Sequence, residues 1–466
     1  MNYDLPIGQE IAARSPLPYQ WSSLTSYFWR FEPSLRQRIV TGAVWSIVGA
    51  GLASALMMVS NIFCARFLGA AHFGELGIVL ATTNMLTVLF SAGLGMTASR
   101  YVAEYRTADP TRAGEIIGLS WVTSILVGAV TALFVLLLAP WLSGEILHAP
   151  RLSSALNLAG LVMFFAALNG SQIGTLSGLE AFKKIAMGNL VRGSGIILFV
   201  IVGAALGGVT GALWGHVAAG IMTSIFYQIA VRRECASSGI AISYRFRRKD
   251  LGILRRFTFP VLVTNLCFAP AAWWCNVLLA NARGYSEVGV FNAILHWQLL
   301  IMFFSNAISN IGLPMLSNLR GERNSAKYKK CLAMNLWLTS APAIAVAVPV
   351  AICAPFVMRL YGPAFAHGAA ALALISLAAV FSAVTLPIGH VIWSLDATTS
   401  AVLLALLRSS TLVIASYALA RAGATGLAGA YVIMGIVQTA AAVPFALWIL
   451  RRRLVPTSSL EETAMA

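Results

Sequence analysis

Charged residues are scarce in this chain of 466 residues: Asp, Glu, Lys and Arg together make up 10% of it, against about 25% in ordinary soluble proteins. No polar stretch is long enough to fold as a separate aqueous domain. The scarcity therefore excludes a large soluble catalytic domain. Hydrophobic residues make up 59% of the chain and its mean hydropathy is +0.80, which is typical of a helical membrane protein.

Cysteine motifs and common catalytic motifs are also missing. The six cysteines form no CxxC pair and no cluster with histidine, so the sequence indicates neither a disulfide framework nor a metal site. The chain contains no Walker A, GxSxG or HExxH motif, and these are the motifs expected of ATP hydrolysis and common hydrolases. We therefore predict no catalytic residues, no metal and no cofactor.

Long apolar runs are what the chain has in abundance. A bilayer core is crossed by about 20 apolar residues in a helix, and twelve runs meet this length. They fall at 39–63, 76–98, 115–139, 152–176, 187–206, 210–231, 258–280, 288–312, 331–354, 369–393, 400–420 and 426–450. We predict an all-α polytopic membrane protein with twelve transmembrane helices joined by short loops.

Lysine and arginine are distributed unevenly across the predicted membrane. Of the 32 such residues, 25 fall on one side, 5 on the other and 2 inside spans, and eight of the 25 lie in the central loop 232–257. Cytoplasmic loops of membrane proteins are enriched in positive charge, so we predict that both termini are cytoplasmic. The same distribution accounts for most of the net charge of +16 without nucleic acid as a partner.

The two halves of the chain repeat each other at an offset of about 215 residues. Asn61, Ala65, Gly69 and Gly74 recur as Asn276, Ala280, Gly284 and Gly289, and Arg192 recurs as Arg408. An even number of helices in each half gives both halves the same orientation, as in transporters that work by alternating access. We predict two pseudo-symmetric six-helix lobes. The predicted segments are a cytoplasmic tail 1–38, an N-lobe 39–231, a basic cytoplasmic linker 232–257, a C-lobe 258–450 and a cytoplasmic tail 451–466.

The segment 65–115 carries a recognisable pattern. Arg66-Phe67-Leu68-Gly69 and then Phe73-Gly74 form a short turn between spans 1 and 2, and a basic loop follows span 2. With these features the chain resembles the polysaccharide exporter and lipid-linked oligosaccharide flippase family. This family belongs to the multidrug/oligosaccharidyl-lipid/polysaccharide exporter superfamily.

The resemblance implies both a fold and a function. It implies a MATE-like fold with a cavity lined by spans 1, 2, 7 and 8. It also implies transport of undecaprenyl-diphosphate-linked oligosaccharide repeat units across the bacterial inner membrane, for surface or exopolysaccharide biosynthesis. The expected partners are the lipid-linked oligosaccharide and membrane lipids, with a polysaccharide polymerase and a chain-length regulator as further candidates.

Arg192 and Arg408 are the charged residues that lie inside predicted spans. Each is about 10 Å from the cytoplasmic end of its span, at matched positions of the repeat. A diphosphate crossing a layer of low dielectric needs cationic partners, so these arginines are candidates for diphosphate capture. The alternative is that each extends to the interface and binds backbone carbonyls or lipid headgroups.

Other polar residues fall on the predicted cavity spans. Asn61, Asn84, Asn276 and Gln298 lie on spans 1, 2, 7 and 8. Amides donate and accept hydrogen bonds, so they can form a sugar-binding belt; the alternative is hydrogen bonding between helices. His296 lies on span 8 and is expected to face the cavity. Arg66 and Arg283 lie at the outer ends of spans 1 and 7, where they either guard the outer mouth or anchor at the interface.

All sixteen acidic residues lie in tails, loops or span ends. Cation-coupled drug antiporters of the superfamily are expected to hold carboxylates within the bundle, so the distribution favours a flippase over a drug or metabolite antiporter. A membrane glycosyltransferase, polymerase or ligase is expected to carry a sizeable outer loop, and the outer loops here have only about a dozen residues. We therefore predict a transporter and not an enzyme.

Overall fold

The computed structural model describes residues 33–91, 94–244, 268–321, 325–395 and 397–454. Most of the predicted N-terminal tail, the second half of the basic linker, the start of predicted span 7 and most of the C-terminal tail lie outside these residues. The described residues form helices joined by short turns and contain no β-strand.

Fourteen α-helices are present in the described residues. They are α1 Pro33–Ser91, α2 Leu94–Tyr105, α3 Pro110–Trp141, α4 Ser153–Gly178, α5 Phe182–Gly195, α6 Ile201–Ser237, α7 Phe268–Arg283, α8 Tyr285–Ile301, α9 Phe303–Gly321, α10 Ser325–Ile352, α11 Ala354–Tyr361, α12 Ala369–Ser394, α13 Thr398–Leu419 and α14 Gly423–Leu454. The short π- or 3₁₀-helical turns are Leu142–Ile146, Pro150–Leu152, Ile196–Val200, Pro363–Gly368 and Ala420–Ala422.

Glycines with positive φ mark the repeat in the backbone. Gly69 (φ 70°, ψ 171°) breaks α1, and its counterpart Gly284 (φ 84°, ψ 173°) separates α7 from α8. Gly208 (φ 58°, ψ −138°) breaks α6, and Gly423 (φ 71°, ψ −151°), 215 residues later, begins α14. These backbone conformations favour glycine because it has no Cβ. The matched torsion angles show that the two halves fold alike, as the repeat predicts.

The helices that result are long enough for about twelve crossings. Seven helical runs in the described residues are long and apolar enough to span a membrane, and the pair Tyr285–Ile301 and Phe303–Ser309, bent by 45°, is an eighth. Ile47–Phe90, Phe182–Ser237 and Ser400–Leu450 have 44, 56 and 51 residues, about twice the length of one crossing or more, and each contains a glycine break. Divided at these breaks, and with α7 added, the runs are consistent with twelve spans.

The helical runs extend beyond the apolar stretches of the sequence. Predicted spans 1 and 2 are two helical segments of α1 that meet at Gly69 without a loop between them, and α6 continues to Ser237, into the predicted linker. A backbone in or near lipid must satisfy its own hydrogen bonds, so the helix continues until a residue such as glycine permits a turn. Hydropathy alone does not locate these ends.

The packing of the core differs between the two ends of the bundle. The end that contains Gly69 and Gly284 is here called the closed end, and the opposite end, with Lys183 and Lys184 near the start of α5, is called the basic end. One hydrophobic core runs through both lobes toward the closed end. Toward the basic end each lobe has a core of its own, around Tyr227 in the N-lobe and Tyr328 in the C-lobe. The lobes therefore share one core at the closed end and have separate cores toward the basic end, where local contacts such as Phe303 against Gly51 still join them.

The contact that joins the lobes is a crossing of α1 and α8 at two glycines. An ideal Cβ on Gly74 would lie 1.8 Å from the carbonyl oxygen of Tyr285, and one on Gly289 would lie 2.1 Å from that of Ala70. Ala70 and Tyr285 are themselves matched by the repeat, so the pseudo-twofold axis exchanges the two contacts. Only glycine allows this separation of the helices.

Candidate functional site

A cavity of about 470 Å³ lies between the lobes, beside the crossing of α1 and α8. All but four of its lining residues come from α1, α7 and α8; the others are Ile196, Val200, His216 and Tyr431. The volume is within the range of small-molecule sites. The lining continues from Phe73 near the crossing to Val88 and Phe268, so the cavity extends from the closed end toward the basic end.

Two matched asparagines are placed alike in this cavity. Asn61 donates through Nδ2 to the carbonyl oxygen of Met57 at 2.9 Å, and Asn276 donates to that of Ala272 at 2.9 Å. Among the described residues, each amide N–H therefore bonds to its own helix and not to another helix. The amide oxygens remain as acceptors, and Oδ1 of Asn276 is buried without a hydrogen-bond partner among the described residues. Such an acceptor is suited to a ligand hydroxyl.

The wall formed by α8 adds a second amide and an imidazole. Asn292 donates through Nδ2 to the carbonyl oxygen of Val288 at 2.9 Å, and His296 is bonded through Nδ1 to the carbonyl oxygen of Asn292 at 2.8 Å. Since a carbonyl oxygen only accepts, Nδ1 carries the proton and Nε2 of the neutral ring is an acceptor. Both side chains line the cavity. Asn84 also lines it and is exposed.

Gln298 is absent from the cavity wall. It follows His296 by two residues, and two residues correspond to about 200° around an α-helix. The two side chains therefore leave α8 on nearly opposite faces. Of the predicted belt of amides, the structure brings together Asn61, Asn84 and Asn276 and leaves Gln298 apart, and His296 faces the cavity as predicted.

Arg66 and Arg283 lie at the closed end, outside the cavity wall. Arg66 donates through Nε to the carbonyl oxygen of Leu360 at 2.6 Å, which ties α1 to α11 of the other lobe. Arg283 is the last residue of α7 and is exposed. Arg66 therefore helps to hold the lobes together where the cavity is closed.

Arg192 lies on α5, one turn before Ile196, which lines the cavity. It is exposed, and it is close enough to His216 of the cavity wall to act on it electrostatically. Its neighbour Gly193 faces Ala53 and Leu56 of α1. These contacts place Arg192 on the cavity side of α5, about one turn nearer the basic end than Ile196 of the cavity wall.

Arg408 lies on α13 and is less exposed than its counterpart Arg192. Its guanidinium carbon is 3.8 Å from the ring centroid of Phe268, and it interacts electrostatically with Tyr431. Phe268 and Tyr431 both line the cavity, whereas Arg408 does not. Arg408 therefore lies behind two aromatic residues of the wall.

Hydrogen bonds from α7 and α8 to the N-lobe hold the closed end. Tyr285 donates through its hydroxyl to the carbonyl oxygen of Leu147 at 2.7 Å, and Asn281 donates through Nδ2 to that of Ile146 at 3.1 Å. Both bonds cross from one lobe to the other.

A carboxylate also holds the outer turn of each lobe. Glu75 pairs with Arg151 in the N-lobe. In the C-lobe, Glu287 accepts from His367 at 3.0 Å and from the backbone N–H of Ala424 at 2.7 Å. These contacts fix the turns between helices at the closed end.

Several cavity residues were not among those predicted from the sequence. They are Ser60, Asn292, His216, Phe268, Trp273 and Tyr431. Asn292 precedes the predicted His296 by one turn, so helical spacing could have identified it. His216 and Tyr431 are matched at the repeat offset, so the repeat could have identified this pair. Trp273 donates through Nε1 to the hydroxyl of Thr82 at 2.8 Å, a contact between lobes that no sequence pattern indicates.

The cavity wall carries no formal charge among the described residues. None of its lining residues is Asp, Glu, Lys or Arg. Its polar surface consists of amides, imidazoles, a serine and a tyrosine. Such a wall is suited to a neutral polar ligand, and any cation that meets an anionic group lies outside it.

The sequence is similar to a known protein family and to two of the known transporters compared with it. Residues 39–320 match the model of a family described as polysaccharide biosynthesis protein. The lipid III flippase of Escherichia coli K12 is 26% identical over 282 residues, which cover 58% of this chain and 67% of that protein. A putative O-antigen transporter of Shigella flexneri is 23% identical over 292 residues, or 60% of this chain and 67% of that protein.

Solved structures confirm the predicted fold class. An inward-facing multidrug resistance MATE family transporter superposes with a TM-score of 0.74 at 19% identity, covering 90% of this chain and 99% of that one. An outward-facing MATE transporter gives 0.67 at 19% identity, with coverage of 90% and 96%. A MOP superfamily transporter from Pyrococcus furiosus gives 0.68 at 18% identity, with coverage of 88% and 95%. The fold is that of the MATE transporters.

Proposed function

The chain belongs to the polysaccharide biosynthesis protein family. We propose that this multi-pass membrane transporter flips undecaprenyl-diphosphate-linked oligosaccharide repeat units across a bacterial inner membrane. It does so by alternating access, and the units serve surface or exopolysaccharide biosynthesis. The observation that carries the proposal is the uncharged, amide-lined cavity between the lobes. It is supported by relatives named as a lipid III flippase and an O-antigen transporter.

The cavity chemistry is suited to the sugar part of such a substrate. Sugar hydroxyls donate to the amide oxygens of Asn61 and Asn276 and to Nε2 of His296, and they accept from donors that enter with water. Phe268 and Trp273 offer ring faces for the apolar faces of a sugar. The cavity of about 470 Å³ holds part of an oligosaccharide at a time, so the repeat unit passes through it in sections.

The diphosphate requires cations, and the basic end supplies them. Arg192 is exposed there, and Lys183 and Lys184 lie two to three turns before it. Charge-assisted bonds to phosphate are the strong class of hydrogen bond. We assign Arg192 to diphosphate capture and Arg408 to a later step. Arg66 and Arg283 belong to the outer closure.

The structure corresponds to a state closed on one side. The lobes are joined at the Gly74–Gly289 crossing and have separate cores toward the basic end. In the proposed cycle the head group enters from the basic end. The lobes then rotate, the glycine crossing opens and the two basic-end cores approach each other, which exposes the cavity to the opposite side.

The proposed orientation follows from charge. The basic end is cytoplasmic by the excess of Lys and Arg, which places both termini in the cytoplasm and the closed end in the periplasm. The 39–231 and 258–450 segments act as the two lobes, and the 232–257 segment is the cytoplasmic linker. A polysaccharide polymerase and a chain-length regulator are the proposed protein partners, because they consume the flipped units.

A cation-coupled drug or metabolite antiporter is the alternative that the fold supports. Against it stands the wall of the cavity, where the described residues include no carboxylate to bind a cation. Most of the positive charge of this chain lies in its loops and tails on one predicted side of the membrane. Nucleic acid is not part of the proposal.

Deletion of the gene separates these two functions. We expect the deletion strain to lose surface polysaccharide, to accumulate lipid-linked repeat units in the inner leaflet, and to keep its drug tolerance. Complementation by the unchanged gene and by Gly144→Ala restores polysaccharide, because nothing lies within 4 Å of that added methyl group. Normal polysaccharide in a deletion strain without a second such gene contradicts the proposal, and a loss of drug tolerance favours the antiporter.

A further inference from the structure

Arg408 is a cation placed directly behind the cavity wall. Its guanidinium stacks on Phe268, 3.8 Å from the ring centroid. Its Nε is buried and has no hydrogen-bond partner among the described residues. The undescribed start of predicted span 7, residues 258–267, contains no acidic residue, so that segment offers no ion pair.

A buried N–H without an acceptor is unfavourable unless it serves a further contact. An arginine stays protonated in proteins, and an N–H group that is removed from water without an acceptor costs free energy. A ring face offsets part of this cost, but a ring supplies no acceptor for the buried N–H. The buried N–H can therefore bind an acceptor that the described residues do not provide.

The repeat supplies an internal comparison. Arg192 is the counterpart of Arg408, His216 of Tyr431, and Ala53 of Phe268. In the N-lobe, Ala53 lies beside Gly193 of α5, and the neighbouring Arg192 is exposed. In the C-lobe a phenylalanine takes the place of that alanine, and the arginine is covered. The two lobes carry the same cation, one with an aromatic cover and one without.

We propose that Arg408 is a masked diphosphate site, covered by the ring of Phe268 when the closed end is shut and uncovered when this ring turns away from the guanidinium. Arg192 is its open counterpart. The choice of a diphosphate as the anion rests on the proposed function; the masked cation itself rests on the contacts around Arg408. A head group that has left Arg192 therefore finds a second cation only after Phe268 has moved.

Binding of inorganic pyrophosphate to the purified full-length protein tests this site. Phe268→Ala gives the C-lobe the residue that the N-lobe has, and we expect it to bind pyrophosphate about tenfold more tightly than the unchanged protein, the effect of one charge-assisted contact. Phe268→Ala/Arg408→Gln should lose this gain, and Phe268→Ala/Arg408→Lys should keep part of it. The affinities are measured by calorimetry.

The controls distinguish exposure of Arg408 from a general loosening of the helix packing. Phe304→Ala removes an exposed ring from α9 and should leave pyrophosphate affinity unchanged. Farnesyl diphosphate, tested beside pyrophosphate, should show the same gain in Phe268→Ala, which assigns the site to the diphosphate group itself.

Two results overturn the masked site. One is a Phe268→Ala protein, monodisperse and with normal helicity, that binds pyrophosphate no more tightly than the unchanged protein. The other is a gain, for either ligand, that survives Arg408→Gln, because it would come from the enlarged wall. Normal polysaccharide in the deletion strain would remove the proposed function and leave the pyrophosphate result standing, so the two failures are distinguishable.

Discussion

Gly74→Ala should force open the closed end. Its Cβ would lie 1.8 Å from the carbonyl oxygen of Tyr285 and 2.8 Å from the backbone nitrogen of Gly289, whereas ordinary contact begins at 3.4 Å. Both are backbone atoms that cannot rotate away. The α1 and α8 helices must therefore separate by about 1.6 Å along the shorter contact, the difference between 3.4 and 1.8 Å.

The expected size of the effect follows from overpacking. Inserting a methyl group into a tight contact costs about 1–3 kcal/mol. If α1 and α8 touch only when the closed end is shut, the whole cost falls on that state. The ratio of closed to open molecules then drops by roughly 5- to 150-fold. Gly289→Ala should act alike, because its Cβ would lie 2.1 Å from the carbonyl oxygen of Ala70.

A native cysteine reports the opening. Cys64 is 2% exposed and lines the cavity next to the crossing. With the other five cysteines replaced, a membrane-impermeant maleimide added from the periplasmic side should label Cys64 at least about fivefold faster in Gly74→Ala. A protein that keeps only Cys353, which is exposed beyond the end of α10, shows the rate of free access.

The matched control for this experiment is Gly144→Ala, also near the closed end, where an added Cβ meets nothing within 4 Å. It should label as the unchanged protein does. If Gly74→Ala and Gly289→Ala are both made at normal levels and both leave the labelling of Cys64 unchanged, the glycine crossing is not the closure, and the reasoning about the two states is wrong.

Three further predictions use the site residues and the topology. Arg192→Ala should lower the apparent substrate affinity of transport about tenfold or more at matched expression, because it loses one charge-assisted contact to phosphate. Arg192→Lys should keep part of the activity. Equal transport by both variants and the unchanged protein would show that Arg192 does not contact the substrate. Asn276→Leu should lower transport about two- to tenfold at normal abundance, since it removes one acceptor of neutral hydrogen bonds; unchanged transport would remove this amide from the sugar path. A periplasm-active reporter should be silent when fused at Ser238 and active at Ser286, and the reverse pattern would invert the proposed direction of transport.

Much of the fold could be predicted from the sequence because its strongest constraints are one-dimensional. Helices must satisfy their own backbone hydrogen bonds in lipid, so apolar runs predict them. The repeat predicted matched breaks, and Gly69 and Gly284 have nearly the same torsion angles. The sequence predicted a turn spread over residues 66–74, whereas the two helices meet at the single residue Gly69.

The site could be predicted less well, since the sequence does not show which way a side chain faces. Apolar residues occur on every face of α8, so no periodicity distinguishes the face of His296 from that of Gln298. The matched pair Arg192 and Arg408 indicated two equivalent cations, yet one is exposed and the other is covered by Phe268. That difference depends on a contact between helices distant in the chain.

Transport of a lipid-linked oligosaccharide by the purified full-length protein tests the central claim most directly. The protein is reconstituted into liposomes with a fluorescent undecaprenyl-diphosphate oligosaccharide, and the exposure of the inner-leaflet sugar to an impermeant glycosidase outside is followed in time. We predict that the protein exposes this pool, that Asn61→Leu/Asn276→Leu slows the exposure, and that Gly144→Ala does not. Exposure no faster than in protein-free liposomes, or an unchanged rate in the double asparagine variant, would contradict the account.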